Sequence, residues 1–231
     1  MISSDYGKEL LKDVFSFRHQ TTLAILDLNR VNDLHHSAQI FLSEQENEHY
    51  SLLKNEARKK EWLGARVCLK MLLIKEGIVR NPNEYEIAKD HQGRPQILSL
   101  RDSSLLVSLD CSLSHKGEYA LAAISRSGKK KLGADIEKVS PKLQKLAARF
   151  VHKEDWLMID QDNAAYFPTL WAVKEAVSKA HGKGLGIGFS RLACRETKKN
   201  FCRVSERGKV VAEAEYFFYR DYAVAIAWAE K

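Results

Sequence analysis

An α+β fold is what the sequence predicts, and three observations carry the prediction. Short apolar segments bounded by turn residues, at 22–28, 85–88, 105–110, 119–125 and 132–137, read as strands. Two longer stretches have helical periodicity, one opening at Ser43 and one over residues 168–181. Strands and helices are mixed without regular alternation, which disfavours a doubly wound parallel sheet.

Each element has its own reason. Residues 22–28 form an almost unbroken apolar run of strand length. Ser43 and Glu46 have capping-box spacing and open a helical stretch that ends by Gly77. Its length, and Gly64 within it, predict two helices or a kink, with Leu63, Val67 and Leu72 in the core. Ser140 followed by Pro141 has the order of an N-cap and a first helical residue, predicting a helix through Arg149. Leu170, Val173, Val177 and Ala180 make the apolar stripe of the later helix. Residues 210–219 and 222–229 close the chain as an antiparallel hairpin.

Charge narrows the function classes. The formal net charge is +7, and it is unevenly placed. Residues 1–127 hold 17 basic and 17 acidic side chains, whereas 128–231 hold 20 and 13. The surplus points to an anionic partner such as nucleic acid, a nucleotide or an acidic protein, although a solvated basic surface explains it equally. No apolar run approaches the ~18–20 residues of a spanning helix, and the first residues lack the layout of a secretory leader. No membrane partner is therefore expected. Cys68, Cys111, Cys194 and Cys202 have neither C-x-x-C nor zinc spacing, as expected of small buried side chains in a reducing, cytoplasmic compartment.

Three clusters could carry chemistry. In Gly133-Ala134-Asp135-Ile136-Glu137, the two acids stand two apart on a strand and so share a face. A hard divalent ion such as magnesium relieves the repulsion of such a pair; two solvated carboxylates beside Lys131 or Lys138 are the alternative. Glu175 and Lys179 lie four apart on one helix face, either as a surface ion pair or as one carboxylate for a metal and one ammonium for a phosphate. Four of the twelve glycines follow at alternate positions from Gly182 to Gly188, marking a tight bend or a close approach. Ser114-His115 sits at the end of a predicted strand, where it could hydrogen-bond a phosphate or serve only structure.

In this order and spacing, the clusters resemble the Sfp-type 4'-phosphopantetheinyl transferase family. Gly133 to Glu137 is similar to that family's G-x-D-x-E motif. Trp171 through Leu185 resembles W-x-x-K-E-(A/S)-x-x-K-x-x-G-x-G-L with every marked position filled. Ser114-His115 resembles its S-H pair, Gly93-Arg94-Pro95 its G-K/R-P turn, and Phe150 with Asp155-Trp156, one residue farther apart, its F-x-x-x-E-(W/Y) segment. The match spans about residues 43 to 190.

The resemblance implies a pseudo-twofold arrangement of two similar α+β halves, 1–127 and 128–231, with the active site at their interface and a monomer as the expected state. It implies transfer of the phosphopantetheine arm of coenzyme A to a serine of an apo acyl or peptidyl carrier protein, with magnesium, releasing 3',5'-ADP. Carriers of fatty-acid, polyketide and nonribosomal-peptide synthesis all remain open. By the family pattern, Asp135, Glu137 and Glu175 hold magnesium. Glu175, or water beside it, takes the serine proton, and Lys179 and His115 stabilise the leaving phosphate. Lys89, Gly93, Arg94, Pro95 and Ser114 are expected to bind the coenzyme together with His115 and Lys179. One departure stands out: residues 43–53 contain neither Lys nor Arg, only His49. That leaves Lys54, Arg58 or Lys60, or the region of Lys89 and Arg94, to meet the 3'-phosphate. A magnesium-dependent nuclease and a basic nucleic-acid-binding module are the alternatives, although no nucleic-acid motif or long basic run is present.

Overall fold

A computed structural model describes residues 11, 13–31, 34–106, 109–182 and 188–231. The chain divides into two compact units, Met1–Gly128 and Lys129–Lys231. Among the described residues, no helix is long and apolar enough to cross a membrane.

The first unit is built on an antiparallel sheet whose strands lie in the order β1 (Asp13–Phe17), β2 (Thr21–Asp27), β6 (Tyr119–Ser125) and β5 (Asp110–Lys116). A small hairpin, β3 (Tyr85–Lys89) with β4 (Pro95–Ser99), stands beside it. Helices α1 (Leu34–Phe41), α2 (Glu44–Leu52) and α3 (Glu56–Lys75) complete the unit. The expected capping box exists: Ser43 Oγ accepts from the Glu46 amide, and the Glu46 carboxylate accepts from the Ser43 amide. The helical stretch is indeed divided, but at Leu53–Asn55, where Asn55 caps α3 by accepting from the Arg58 amide. Gly64 stays helical and lets α3 lie close to Leu28 and Ala120. Leu63, Val67 and Leu72 are fully buried in the core that α3 forms with β2 and β6.

The second unit is a five-stranded antiparallel sheet in the order β7 (Lys130–Lys138), β11 (Tyr222–Glu230), β10 (Lys209–Tyr219), β9 (Phe201–Glu206) and β8 (Leu192–Lys198). It is covered on one face by α4 (Tyr166–His181). Leu170, Val173, Val177 and Ala180 of α4 are fully buried, as its stripe requires. Gly133 is what permits the close contact, because a Cβ there would stand 1.9 Å from the Ala176 carbonyl oxygen and 2.5 Å from the Ala180 nitrogen. Farther along the sheet, buried Glu196 accepts from the amides of Met158 and Asn200 and from the Tyr216 hydroxyl, pinning the 156–158 segment to β8.

Two expected elements differ. Residues 140–149 do not form an α-helix; only Gln144–Arg149 winds, as a 3-10 helix with no buried residue and no side-chain cap. A short helix that buries no apolar face has little to hold it. Of the strand expected over 105–110, residues 107 and 108 lie outside the described residues, and Leu105 forms an isolated bridge with Leu98. The strand proper begins at Asp110, so Ser114 and His115 lie inside β5.

Both units contain a lysine whose ammonium is wholly buried, held in the same way. In the first, Lys70 donates to the Glu46 carboxylate, to the Phe41 carbonyl at 2.7 Å and to the Tyr85 carbonyl at 2.6 Å. In the second, Lys174 donates to Asp155 Oδ2 at 2.6 Å, the Phe150 carbonyl at 2.7 Å and the Phe189 carbonyl at 3.2 Å. Each carboxylate also accepts from the amide three residues before it, Ser43 or His152, and from an amide farther on, Ile87 or Cys194. Burial pulls the pKa of both lysines down, and the paired carboxylates oppose that pull.

The glycine contacts make a contrasting pair of predictions. Gly133→Ala presses on helix backbone and is expected to cost about 2 kcal/mol or more, within the range for overpacking. Gly64→Ala meets the Leu28 Cδ2 at 2.1 Å, the movable end of a side chain, and is expected to cost roughly 1 kcal/mol or less. Urea unfolding of the two variants checks the order, and equal losses would contradict it.

Candidate active site

Strand β7 and helix α4 bring two distant motifs together. Gly133 faces α4, so the alternation of the strand turns Asp135 and Glu137 to the same side. Lys179 Nζ donates to Asp135 Oδ1 at 2.7 Å and to the Ala134 carbonyl at 3.1 Å. Asp135 is 5 % exposed, whereas the Lys179 side chain retains 29 % exposure. Glu175 stands one turn before Lys179 on the same helix face and is half-buried, as is Glu137.

Among the described residues, no three His, Cys, Asp or Glu side chains gather closely enough to hold a metal ion. Asp135, Glu137 and Glu175 therefore do not form a closed protein cage, and one of them already faces an ammonium. Magnesium does not need a cage: it is held by one or two carboxylates, with water and substrate phosphates filling its other positions. Glu137 and Glu175 are half-buried and Asp135 is buried beside Lys179, and an all-carboxylate donor set of this kind fits such a site.

The first unit places the other expected residues less uniformly. Ser114 and His115 are neighbours in β5 and so project from opposite faces. Ser114 is buried, while His115 is 43 % exposed with Nδ1 at 3.5 Å from Glu61 Oε2 on α3. Gly93 lies in the turn between β3 and β4 with φ at +80°, where a side chain is strained. Asp90 Oδ1 organises this turn by accepting from the amides of Gln92 and Arg94. Pro95 opens β4 opposite Lys89, which is exposed. Arg94 is not an open cation: its guanidinium donates to both oxygens of Asp110, at 2.6 and 2.7 Å, clamping the hairpin to β5. Lys183, Gly184, Leu185 and Gly186, the glycine-rich part of the helix motif, lie outside the described residues.

Lys174 and Asp155 had no separate role in the sequence reading. Trp171, one turn before Lys174, packs edge-on against Phe150 and Phe189, each at 5.1 Å between ring centres. The carbonyls of those same two phenylalanines accept from Lys174. The W-x-x-K spacing thus reads as one clamp, with the ring on two side chains and the ammonium on their backbone. Its signal was present: a lysine inside an apolar helix face, and Phe followed five residues later by an acid in both halves, at Phe41–Glu46 and Phe150–Asp155.

A family model described as the 4'-phosphopantetheinyl transferase superfamily matches residues 131–227, the stretch that holds β7 and α4. The 4'-phosphopantetheinyl transferase Sfp of Bacillus subtilis (strain 168) is 29 % identical over 169 residues, which cover 67 % of this chain and 71 % of that one. Over these stretches the chain is similar to the 4'-phosphopantetheinyl transferases. The chain is also 25 % identical to the putative 4'-phosphopantetheinyl transferase slr0495 of Synechocystis sp. over 176 residues, 74 % of this chain and 69 % of that protein. The solved holo-(acyl-carrier-protein) synthase of Bacillus anthracis, in complex with CoA (3',5'-ADP), aligns at a TM-score of 0.39. That alignment has 22 % identity and covers 46 % of this chain and 93 % of the other.

The Arg94–Asp110 clamp has a measurable consequence. A double-mutant cycle with Arg94→Met and Asp110→Asn, followed by urea unfolding, is expected to give a coupling of about 1.5–3 kcal/mol, the range for hydrogen bonds to charged groups. A coupling near zero would show that the pair is incidental.

Proposed function

We propose that this chain moves the 4'-phosphopantetheine arm of coenzyme A to a serine of an apo acyl or peptidyl carrier protein, in a magnesium-dependent reaction that releases 3',5'-ADP. The observation that carries this reading is the Lys179–Asp135 contact, which joins the helix motif to the strand motif 44 residues away in sequence. A carboxylate-rich strand beside a partly exposed ammonium is what a pyrophosphate and a hard cation require together.

The roles follow from that chemistry. Glu175 accepts the proton of the carrier serine, whose oxygen then forms the new bond to the β-phosphorus. The bond from that phosphorus to the bridging oxygen breaks, and the electron pair leaves on the α-phosphate of 3',5'-ADP. Lys179 neutralises the growing negative charge on the leaving group, and His115 is proposed to assist. Asp135 and Glu137, with Glu175 beside them, would hold magnesium, which supplies Lewis acidity to the phosphate oxygens. On the first unit, Lys89, Ser114 and the Gly93-Arg94-Pro95 turn are the proposed contributors to nucleotide recognition. Arg94 acts there chiefly by fixing the hairpin that presents Lys89. The carrier is proposed to be an acidic helical domain steered by the basic surplus of residues 128–231, which includes exposed Lys142 and Lys145.

Intact-protein mass spectrometry of an apo carrier tests the reading. A gain of one phosphopantetheine that needs both coenzyme A and magnesium is expected, and no gain across fatty-acid, polyketide and peptide carriers would refute it. Glu175→Gln or Asp135→Asn is expected to lower kcat about 100-fold or more. Near-normal rates in both would remove these residues from the mechanism. The steering claim predicts a kcat/KM that falls as salt rises; a salt-independent value would remove steering alone.

A further inference from the structure

Three fixed points locate α4 on its sheet. Gly133 sets how closely the helix approaches, since only a missing side chain leaves room for the Ala176 carbonyl. Lys179 ties the helix to Asp135 on one flank. Lys174 ties it on another, to Asp155 and to the carbonyls of Phe150 and Phe189. Because successive helical residues are about 100° apart, fixing Lys174 also fixes the rotation at which the adjacent Glu175 is presented. Asp155 is itself held from two directions, by the amides of His152 and Cys194. The tie therefore transmits the position of β8 and of the 150–155 turn to the helix. In the first unit the same construction around Lys70 is followed by Met71, which is buried. The tie is thus a device for setting a helix, and only in α4 does it stand beside a half-buried carboxylate.

We infer that Lys174, acting with Asp155, is a positioning residue for Glu175: it sets the rotation of α4 on which the catalytic carboxylate depends. The inference rests on the transferase reading given above. It differs from a purely stabilising role in what it predicts once stability is restored. Removing Lys174 alone strands a buried carboxylate and is expected to unfold the unit, whereas replacing both partners by apolar side chains is often neutral for stability.

The test uses the full chain carrying Asp155→Leu with Lys174→Met, and separately Lys174→Arg, assayed with coenzyme A and an apo carrier that the unaltered chain modifies. Urea unfolding is measured beside kcat, both KM values and amide hydrogen exchange over residues 171–181. The double variant is expected to unfold near the original midpoint. Its kcat should fall roughly 10- to 100-fold, as for a misplaced group, with the carrier KM changed less than about twofold, since the carrier-facing surface is untouched, while the coenzyme KM rises as Lys179 moves with the helix. Faster exchange along α4 should accompany the fall. Lys174→Arg keeps the charge but not the three-way reach, and should lie between. A folded double variant with kcat and helix exchange like the original would overturn the inference. If the double variant does not fold, Lys174→Arg decides, and unchanged kcat and exchange in it would be equally fatal. Failure of the unaltered chain to modify any carrier refutes the functional reading instead; exchange over 171–181 then still tests the placement of the helix.

Discussion

A lysine ammonium taken out of water loses several kcal/mol of hydration even after the protein relaxes around it. Lys70 and Lys174 both bear that cost, and each ammonium is satisfied by one carboxylate and two backbone carbonyls. Such a group tolerates little displacement, because moving any partner leaves a buried charge uncompensated. The Lys174 tie therefore joins segments that sequence keeps apart: the 150–155 turn, α4, the backbone at Phe189 and, through Asp155, the first residues of β8. The packing of Trp171 between Phe150 and Phe189 reinforces the same joint with apolar contact. The candidate site stands on this foundation, since Glu175 and Lys179 are displayed by the helix that it fixes.

The surface of α4 turned toward β7 is electrostatically unlike the tie. Lys179 and Asp135 are paired, but the lysine remains partly open to solvent. A charge in that setting can respond to an incoming phosphate, whereas Lys174, fully enclosed, cannot. Two lysines five residues apart on one helix thus differ in exposure, one enclosed and one partly open to solvent. In the first unit, Lys89 is exposed at the hairpin end while Arg94 is engaged by Asp110.

Much of the fold was legible from local chemistry. The Ser43–Glu46 box, the α4 stripe and the closing hairpin rest on short-range patterns, and all three are present. The helix expected from Ser140-Pro141 was misread because a good start signal cannot supply a buried face, and residues 144–149 bury nothing. The split at Asn55 instead of Gly64 reflects a cap outweighing a glycine: Gly64 is kept helical by its packing against Leu28 and Ala120. Within the site, Asp135, Glu175 and Lys179 could be named from spacing. The engagement of Arg94 by Asp110 could not, because it joins residues on different strands. Asp155 was visible as an acid, but its service to Lys174 depends on burial, which sequence spacing does not reveal.

On the proposed reading, the strand and helix motifs form one site that transfers a group to a serine. The most direct measurement is the yield of 3',5'-ADP from coenzyme A and magnesium, using an apo carrier and the same carrier with its acceptor serine replaced by alanine. One equivalent of 3',5'-ADP per serine carrier, and none with the alanine carrier, is the predicted result. Release that ignores the acceptor serine, or carrier modification without stoichiometric 3',5'-ADP, would rule out serine-directed transfer at this site.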